Sequence, residues 1–265
     1  MAWLEGRHLA VEGGSVFCEV VGTGRPVVLS HDFLLHRESW DAQFTALSDA
    51  YRVVRWDRRG YGRSDEASAS YSSVDDLAQV IEAAADGPVV LVGCSYGGVV
   101  SLHCALDHPE LVTALVMVGS PVSGLGYTEH MVSRGSRRTM DVAATDAEID
   151  YWSAVDPWFV AASNTQARER LRELLTANRQ NVESKRRWER SPEPAALPRL
   201  GEIAVPTLII VGEHDIPDVH AHAGALEAGI RGARRVVLAG SGHLPQLEVP
   251  DAFNDVVRAF LSTLP

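Results

Sequence analysis

Val89-Val90-Leu91-Val92-Gly93-Cys94-Ser95-Tyr96-Gly97-Gly98 is the stretch on which the fold turns. Its opening residues are apolar without alternation, the pattern of a strand buried on both faces in a parallel sheet covered by helices. Tyr96 onward to Asp107 reads as a helix. Between the two lies G-x-S-x-G, and a strand–turn–helix setting is the condition for a nucleophile elbow. At so sharp a turn a serine takes strained dihedrals, and flanking glycines remove the side chains that would clash. The hydroxyl then stands clear at a helix N-terminus, where free N–H groups and the dipole favour an oxyanion. A glycine-rich packing turn is the bland alternative, and the setting argues against it.

The same rhythm extends on both sides of this stretch. Ser15–Val21, Pro26–Ser30, Tyr51–Trp56 and Ala114–Val118 read as further strands. A helix opens at Ser73, with Asp76 expected to complete a capping box, and puts Val74, Leu77, Val80, Ile81 and Ala84 on one face. It should stop at Asp86-Gly87-Pro88. Such repetition implies a mostly parallel sheet with helices on both faces. After Ser120-Pro121 only helical patterns and loops appear, until strand Thr207–Gly212, helix Asp218–Ile230, strand Arg234–Leu238 and a closing amphipathic helix Pro250–Leu264. We therefore expect one α/β core from residues 1–121 and 201–265, with residues 122–200 as a helical cap insertion. Open α/β sheets bind ligands at the carboxyl ends of their strands, so an insertion there would roof a pocket.

Composition narrows the possibilities. With 265 residues, 46% hydrophobic and 22% charged, the chain has an ordinary globular balance and room for one large α/β domain. Thirty-five acidic against 24 basic side chains leave a net charge of −11, which repels nucleic-acid backbones. Cys18, Cys94 and Cys104 are too few for a disulfide framework and fit a reducing, cytoplasmic setting. Glu5, Arg7 and His8 stand where a signal peptide would need its apolar core, and no apolar run approaches a membrane span.

A serine hydroxyl needs a base, itself oriented by an acid. In the chain order serine, acid, histidine, the candidates should follow later strands. Thr207–Gly212 ends in Glu213-His214-Asp215, and Arg234–Leu238 is followed by Gly240-Ser241-Gly242-His243. His243, alone among ten histidines, lies in a glycine-flanked loop after the last strand and is the expected base. Asp215 is preferred as the acid over Glu213 and Asp218, since Asp218 better suits a helix cap.

With these residues in place, the chain resembles the α/β-hydrolase superfamily over nearly its whole length, in the branch with a helical cap. Asp57-Arg58-Arg59-Gly60-Tyr61-Gly62-Arg63-Ser64 matches the D-x-R-G-x-G-x-S turn of such enzymes and is read as structural packing behind the elbow. The resemblance implies an eight-stranded, mostly parallel sheet, and an oxyanion hole formed by the backbone N–H groups of Phe33 and Tyr96. It departs from the family at His31-Asp32-Phe33, where Asp32 replaces the usual glycine. A carboxylate there would oppose a developing negative charge unless it turned away or were hydrogen-bonded. Asp32, His36, Trp40 and, in the cap, Trp158 are the candidate substrate-binding residues, although Trp40 serves equally well as a helix anchor.

The capped architecture looks most like that of carboxylesterases and enol-lactonases. A cofactor-free serine hydrolase acting on a small ester or lactone is expected, as a monomer or homodimer without nucleic-acid or membrane partners. Relatives of this type that cleave carbon–carbon bonds or make peracids share the triad and stay open. So do a ligand-binding receptor and a non-hydrolytic cyclase. The cluster His214, Asp215, Asp218, His220 and His222 suggests a metal, but His220 and His222 cannot share a helix face. Cys94 should point into packing, since side chains alternate along a strand. Eight Lys/Arg against four Glu between Arg168 and Arg190 read as a solvated cap helix.

Overall fold

The structure, a computed structural model, describes residues 4–85, 87–136, 145–179 and 188–265. Strands β1 (Leu4–Val11), β2 (Gly14–Val21), β3 (Pro26–Ser30), β4 (Arg52–Trp56), β5 (Val89–Cys94), β6 (Val112–Val118), β7 (Thr207–Gly212) and β8 (Arg234–Leu238) form one sheet. Their order is β1-β2-β4-β3-β5-β6-β7-β8. β1 and β2 run antiparallel to their neighbours, and every pair from β4 to β8 is parallel. The expected α/β fold is thus present, and seven of its strands lie within two residues of their sequence-based positions. The eighth, β1, has no counterpart among them. Its alternation is blurred by Gly6, Arg7 and His8 on an edge strand, where one side of the ladder has no partner to satisfy.

The described α-helices are α1 (Asp41–Leu47), α2 (Ser73–Ala84), α3 (Tyr96–Asp107), α4 (Glu129–Ser136), α5 (Thr145–Asp150), α6 (Thr165–Ala177), α7 (Pro217–Gly229), α8 (Pro245–Glu248) and α9 (Pro250–Leu261). α2, α3 and α7 bury side chains on one face of the sheet, including Leu77, Val100 and Leu226. α1 and α9 cover the other through Phe44, Leu47, Phe253 and Val257. Between β6 and β7 the described residues form no strand of the sheet. α5 and α6 there bury Ile149, Leu171 and Leu174 with Trp152 in the second of these cores. Lys185, Arg186 and Arg187, which supply much of the basic cluster, lie outside the described residues, as does Asp86 of the expected stop signal.

α2 presents the expected face, but its cap differs. Ser72, one residue earlier, is the N-cap and accepts from the Asp75 N–H at 3.1 Å. Asp76 is not part of a capping box. It accepts from Arg59 Nε at 2.8 Å and Nη2 at 2.7 Å, because a buried guanidinium demands a carboxylate more strongly than a helix terminus demands a second cap. Asp57 is bound likewise, accepting from Arg37 Nη1 at 2.9 Å and from the N–H groups of Arg37 and Arg63. Gly62, at φ +52°, leaves room for it, since a Cβ would collide with the Asp57 carboxylate. The chain order sends β3 to β4 on one side and to β5 on the other. Their carboxyl ends therefore flank the topological switch, where open α/β sheets bind ligands.

Removing one member of the Arg59–Asp76 pair strands a charge in the interior. Asp76→Ala should cost about 3–5 kcal/mol of unfolding free energy, measured by urea denaturation, and adding Arg59→Met should recover most of it. A loss no larger in Asp76→Ala than in the double variant would show the pair to be dispensable.

Candidate active site

β5 runs directly into α3, and the joint is Ser95 at φ 51°, ψ −117°, the one non-glycine with positive φ among the described residues. Such a conformation costs of order 1–3 kcal/mol and persists only when its surroundings impose it. Here the surroundings are mainly backbone, with the Ser120 side chain beside them. A Cβ on Gly97 would strike the carbonyls of Ser30 and His31, one on Gly93 would strike Gly97, and one on Gly98 would strike Ser120. Ser95 N–H donates to Val118 O at 2.7 Å, and its own carbonyl accepts from Gly98 and Val99 in the first turn of α3.

Asp215 and His243 follow β7 and β8. His243 Nδ1 lies 3.0 and 2.9 Å from the two Asp215 carboxylate oxygens, and Asp215 Oδ1 also accepts from Ile216 N–H at 2.8 Å. With a carboxylate facing Nδ1, that nitrogen carries the proton and Nε2 is left as the basic face of the ring. The rival acids are used elsewhere. Glu213 accepts from Gly240 N–H, and Asp218 accepts from the N–H and hydroxyl of Thr128, pinning the approach to α4. Asp218 is therefore not the cap of its own helix, which begins after Ile216. Of the suggested metal cluster, Asp215 faces His243, and His222 Nδ1 accepts from Val122 N–H at 3.1 Å.

Ser95 and His243 line one cavity of about 330 Å³ with Phe33, Tyr96, Gly119, Pro121, Tyr127, Met131, Val132, Phe159, Ile216 and Val219. Phe33 and Tyr96 are thus on its wall with the serine. The four candidate substrate-binding residues are not. Trp40 is wholly buried against Phe253, with ring centroids 6.1 Å apart, because the first helix packs on the last. His36 lies in the interior with Asn178 Nδ2 2.9 Å from its Nε2, and burial lowers its pKa to about 4. Trp158 lines a separate groove with Glu213 and His214, although its carbonyl accepts from His243 N–H at 2.9 Å. Asp32 is fully buried, and its Oδ1 accepts from the N–H groups of Leu34 at 2.7 Å and Leu35 at 3.1 Å. Burial raises its pKa, against those hydrogen bonds and the nearby His243 and Arg58. Cys94 is buried too, and burial followed by the neighbouring Asp32 pushes its thiol well up, which keeps it protonated.

Several positions escaped the sequence-based reading. Glu248 accepts from the N–H groups of Gly242 and Leu244, on either side of His243, and from Ala161. A glutamate five residues after the histidine, before Val249-Pro250, was the available signal. Gly119 packs against the acid–base pair. Tyr127, Met131, Val132, Phe159, Ile216 and Val219 supply the apolar wall, which no local pattern marks.

The chain matches the alpha/beta hydrolase family over residues 27–256. It belongs to that family. The 2-hydroxy-6-oxononadienedioate/2-hydroxy-6-oxononatrienedioate hydrolase of Klebsiella pneumoniae is 31% identical, over 80% of this chain and 77% of that protein. The pimeloyl-[acyl-carrier protein] methyl ester esterase of Nitrosomonas europaea is 26% identical, over 90% and 96%. Among solved structures, a thermophilic esterase from Thermogutta terrifontis superposes with a TM-score of 0.81 at 24% identity, covering 98% of each chain. This α/β hydrolase is accordingly an enzyme of hydrolase type, and no described helix is long and apolar enough to cross a membrane.

Two outcomes follow for this hydrolase. Gly119 has φ +52°, and a Cβ there would lie 3.1 Å from His243 Nδ1 and 3.3 Å from Asp215 Oδ2. Gly119→Ala should lower stability by about 1 kcal/mol, through the left-handed backbone, and cut kcat by at least about tenfold by shifting the ring. Unchanged kcat in the folded variant would refute the close contact. His36 is held neutral in the fold, so unfolding takes up a proton below pH ~6.5, and its stabilising contribution declines from there toward its folded pKa of about 4. His36→Gln should flatten the fall of unfolding free energy across that window by up to ~1.4 kcal/mol per pH unit. Parallel pH profiles for the two proteins would contradict this.

Proposed function

We propose that this α/β hydrolase cleaves small, neutral carboxylic esters or lactones through an acyl-enzyme on Ser95. The observation that carries the assignment is the left-handed Ser95 on the wall of one cavity with a histidine whose Nδ1 is held by Asp215. His243 Nε2 takes the Ser95 proton as Oγ attacks the carbonyl carbon. The tetrahedral oxyanion is held by the N–H groups of Phe33 and Tyr96. Collapse breaks the ester bond, and His243 returns the proton to the departing alcohol. Water, deprotonated by His243, then adds to the acyl carbon and releases the acid and Ser95. Residues 122–200 act as a cap, and Tyr127, Met131, Val132 and Phe159 from that segment support this by lining the cavity. No metal or organic cofactor enters these steps. The free, buried thiols of Cys18, Cys94 and Cys104 are compatible with a cytoplasmic protein.

The chemistry of the wall favours an uncharged substrate. Nine of the lining side chains, Phe33, Tyr96, Pro121, Tyr127, Met131, Val132, Phe159, Ile216 and Val219, are apolar or aromatic. A carboxylate placed among them would lose its hydration without a compensating partner. A dioate, the substrate class printed in the name of the Klebsiella relative, is therefore disfavoured relative to a neutral ester.

A fluorophosphonate probe should label Ser95, located by peptide mapping, and Ser95→Ala and His243→Ala should abolish labelling. A folded wild-type protein that stays unlabelled would refute the serine mechanism. Among p-nitrophenyl esters, a neutral alkanoate should exceed its analogue of equal length ending in a carboxylate by roughly 30-fold or more in kcat/KM, corresponding to ~2 kcal/mol of uncompensated desolvation. Equal rates would overturn the preference.

A further inference from the structure

We propose that Arg58 is a positioning residue for the oxyanion site: its guanidinium, bound to the Asp32 carbonyl, fixes the Asp32–Phe33 peptide so that the Phe33 N–H is turned toward the cavity. This rests on the serine mechanism above and adds a residue that does not line the cavity.

Arg58 is fully buried, and its Nη2 donates to Asp32 O at 2.7 Å. The same carbonyl has a second donor. His31 Nε2 accepts from Arg58 N–H at 3.0 Å, so the imidazole proton resides on Nδ1, which donates to Asp32 O at 2.6 Å. In a trans peptide the N–H points opposite to the C=O. Two donors that draw the Asp32 oxygen into the interior therefore direct the Phe33 N–H the other way, and Phe33 lies on the cavity wall. The next peptide is held as well. Phe33 O accepts from Tyr61 Oη at 2.8 Å, and Leu34 N–H donates to Asp32 Oδ1. Arg58 and Tyr61 belong to one turn after β4, so that turn grips both peptides flanking Phe33.

The guanidinium also reaches the other oxyanion residue. Its carbon stands 4.8 Å from the Tyr96 ring centroid and 4.6 Å from that of Tyr61, with Glu189 Oε1 3.6 Å from Nη1 as its counter-ion. A wholly buried cation is costly to hold, and an apolar side chain of similar volume would fill such a space at lower cost. A charged donor on the carbonyl polarises the peptide and strengthens its N–H as a donor, which a methionine at this position would not do.

The test compares wild type with Arg58→Met and Arg58→Lys. For a neutral p-nitrophenyl ester, Arg58→Met should lower kcat about 30- to 100-fold with KM within threefold, the signature of an interaction made in the transition state. An alkyl trifluoromethyl ketone, which binds as a tetrahedral oxyanion, should weaken by the same factor as kcat/KM. Inhibition by the product acid's neutral amide should stay unchanged. Arg58→Lys, which keeps a cation, should regain part of the loss. A folded Arg58→Met enzyme with wild-type kcat, or one that loses ketone and amide binding equally, overturns the proposal. If Arg58→Met does not fold, Arg58→Lys and Tyr61→Phe carry the same comparison of ketone against amide, and equal weakening of the two overturns it. Fluorophosphonate labelling of wild-type Ser95 separates the failures. Labelled wild type with an indifferent Arg58→Met refutes Arg58 alone, whereas unlabelled wild type refutes the serine mechanism beneath it.

Discussion

Where β5 bends into α3, the chain packs with no room for side chains at its glycines. Gly97 lies against the carbonyls at the end of β3, Gly93 lies against the backbone of Gly97, and Gly98 lies against the Ser120 side chain after β6. This close approach imposes the left-handed Ser95 and makes its strain tolerable, because relaxing the turn would pull three strands apart. It also sets distances elsewhere. The end of β3 leads into His31, Asp32 and Phe33, so the contact that strains the serine also brings the Phe33 segment alongside it. The position of the hydroxyl is thereby inherited from the sheet.

Electrostatics are divided between the two sides of that joint. Behind it, cations and carboxylates are buried in pairs: Arg59 with Asp76, Arg37 with Asp57, Arg58 with Glu189. Each pair would be costly if broken, so the turn after β4 is rigid, and its donors can hold neighbouring carbonyls. In front of it the cavity wall is mainly apolar. Charge that develops on a reacting carbonyl there is poorly screened, so a few oriented N–H groups count for more than they would in water.

The loop that carries His243 is secured by the Glu248 carboxylate. Glu248 takes the N–H groups on both sides of His243 and also that of Ala161. Arg168 in turn donates to the carbonyls of Ala161, Ser153, Asp156 and Val160, tying the segment that carries Phe159. Phe159 lies 5.6 Å from the His243 ring, centroid to centroid. The imidazole is thus packed by a segment from between β6 and β7, and movement of that segment would be felt at His243.

The strands, the parallel sheet and the candidate trio of Ser95, Asp215 and His243 were legible because each depends on local pattern. A buried strand is continuously apolar, an elbow needs glycines at fixed offsets, and an acid and a base follow strand ends. Strand β1 was not legible, since Gly6, Arg7 and His8 dilute its periodicity. Nor was the fate of Asp76, Trp40, His36 and Trp158, which depends on partners far away in the chain. Asp76 met Arg59, Trp40 met Phe253, and a side chain with two good uses takes whichever neighbour the packed structure brings to it. The chain order alone determined the fold class and in what sequence the candidate groups Ser95, Asp215 and His243 appear. Only the tertiary structure decided what surrounds them: an apolar wall for the cavity, a buried Asp32 hydrogen-bonded within its own loop, and a buried Arg58 on the Asp32 carbonyl. The physical reason is that hydrogen-bond partners and van der Waals neighbours across a sheet are chosen by long-range packing, which leaves no periodic trace in the residues that take part.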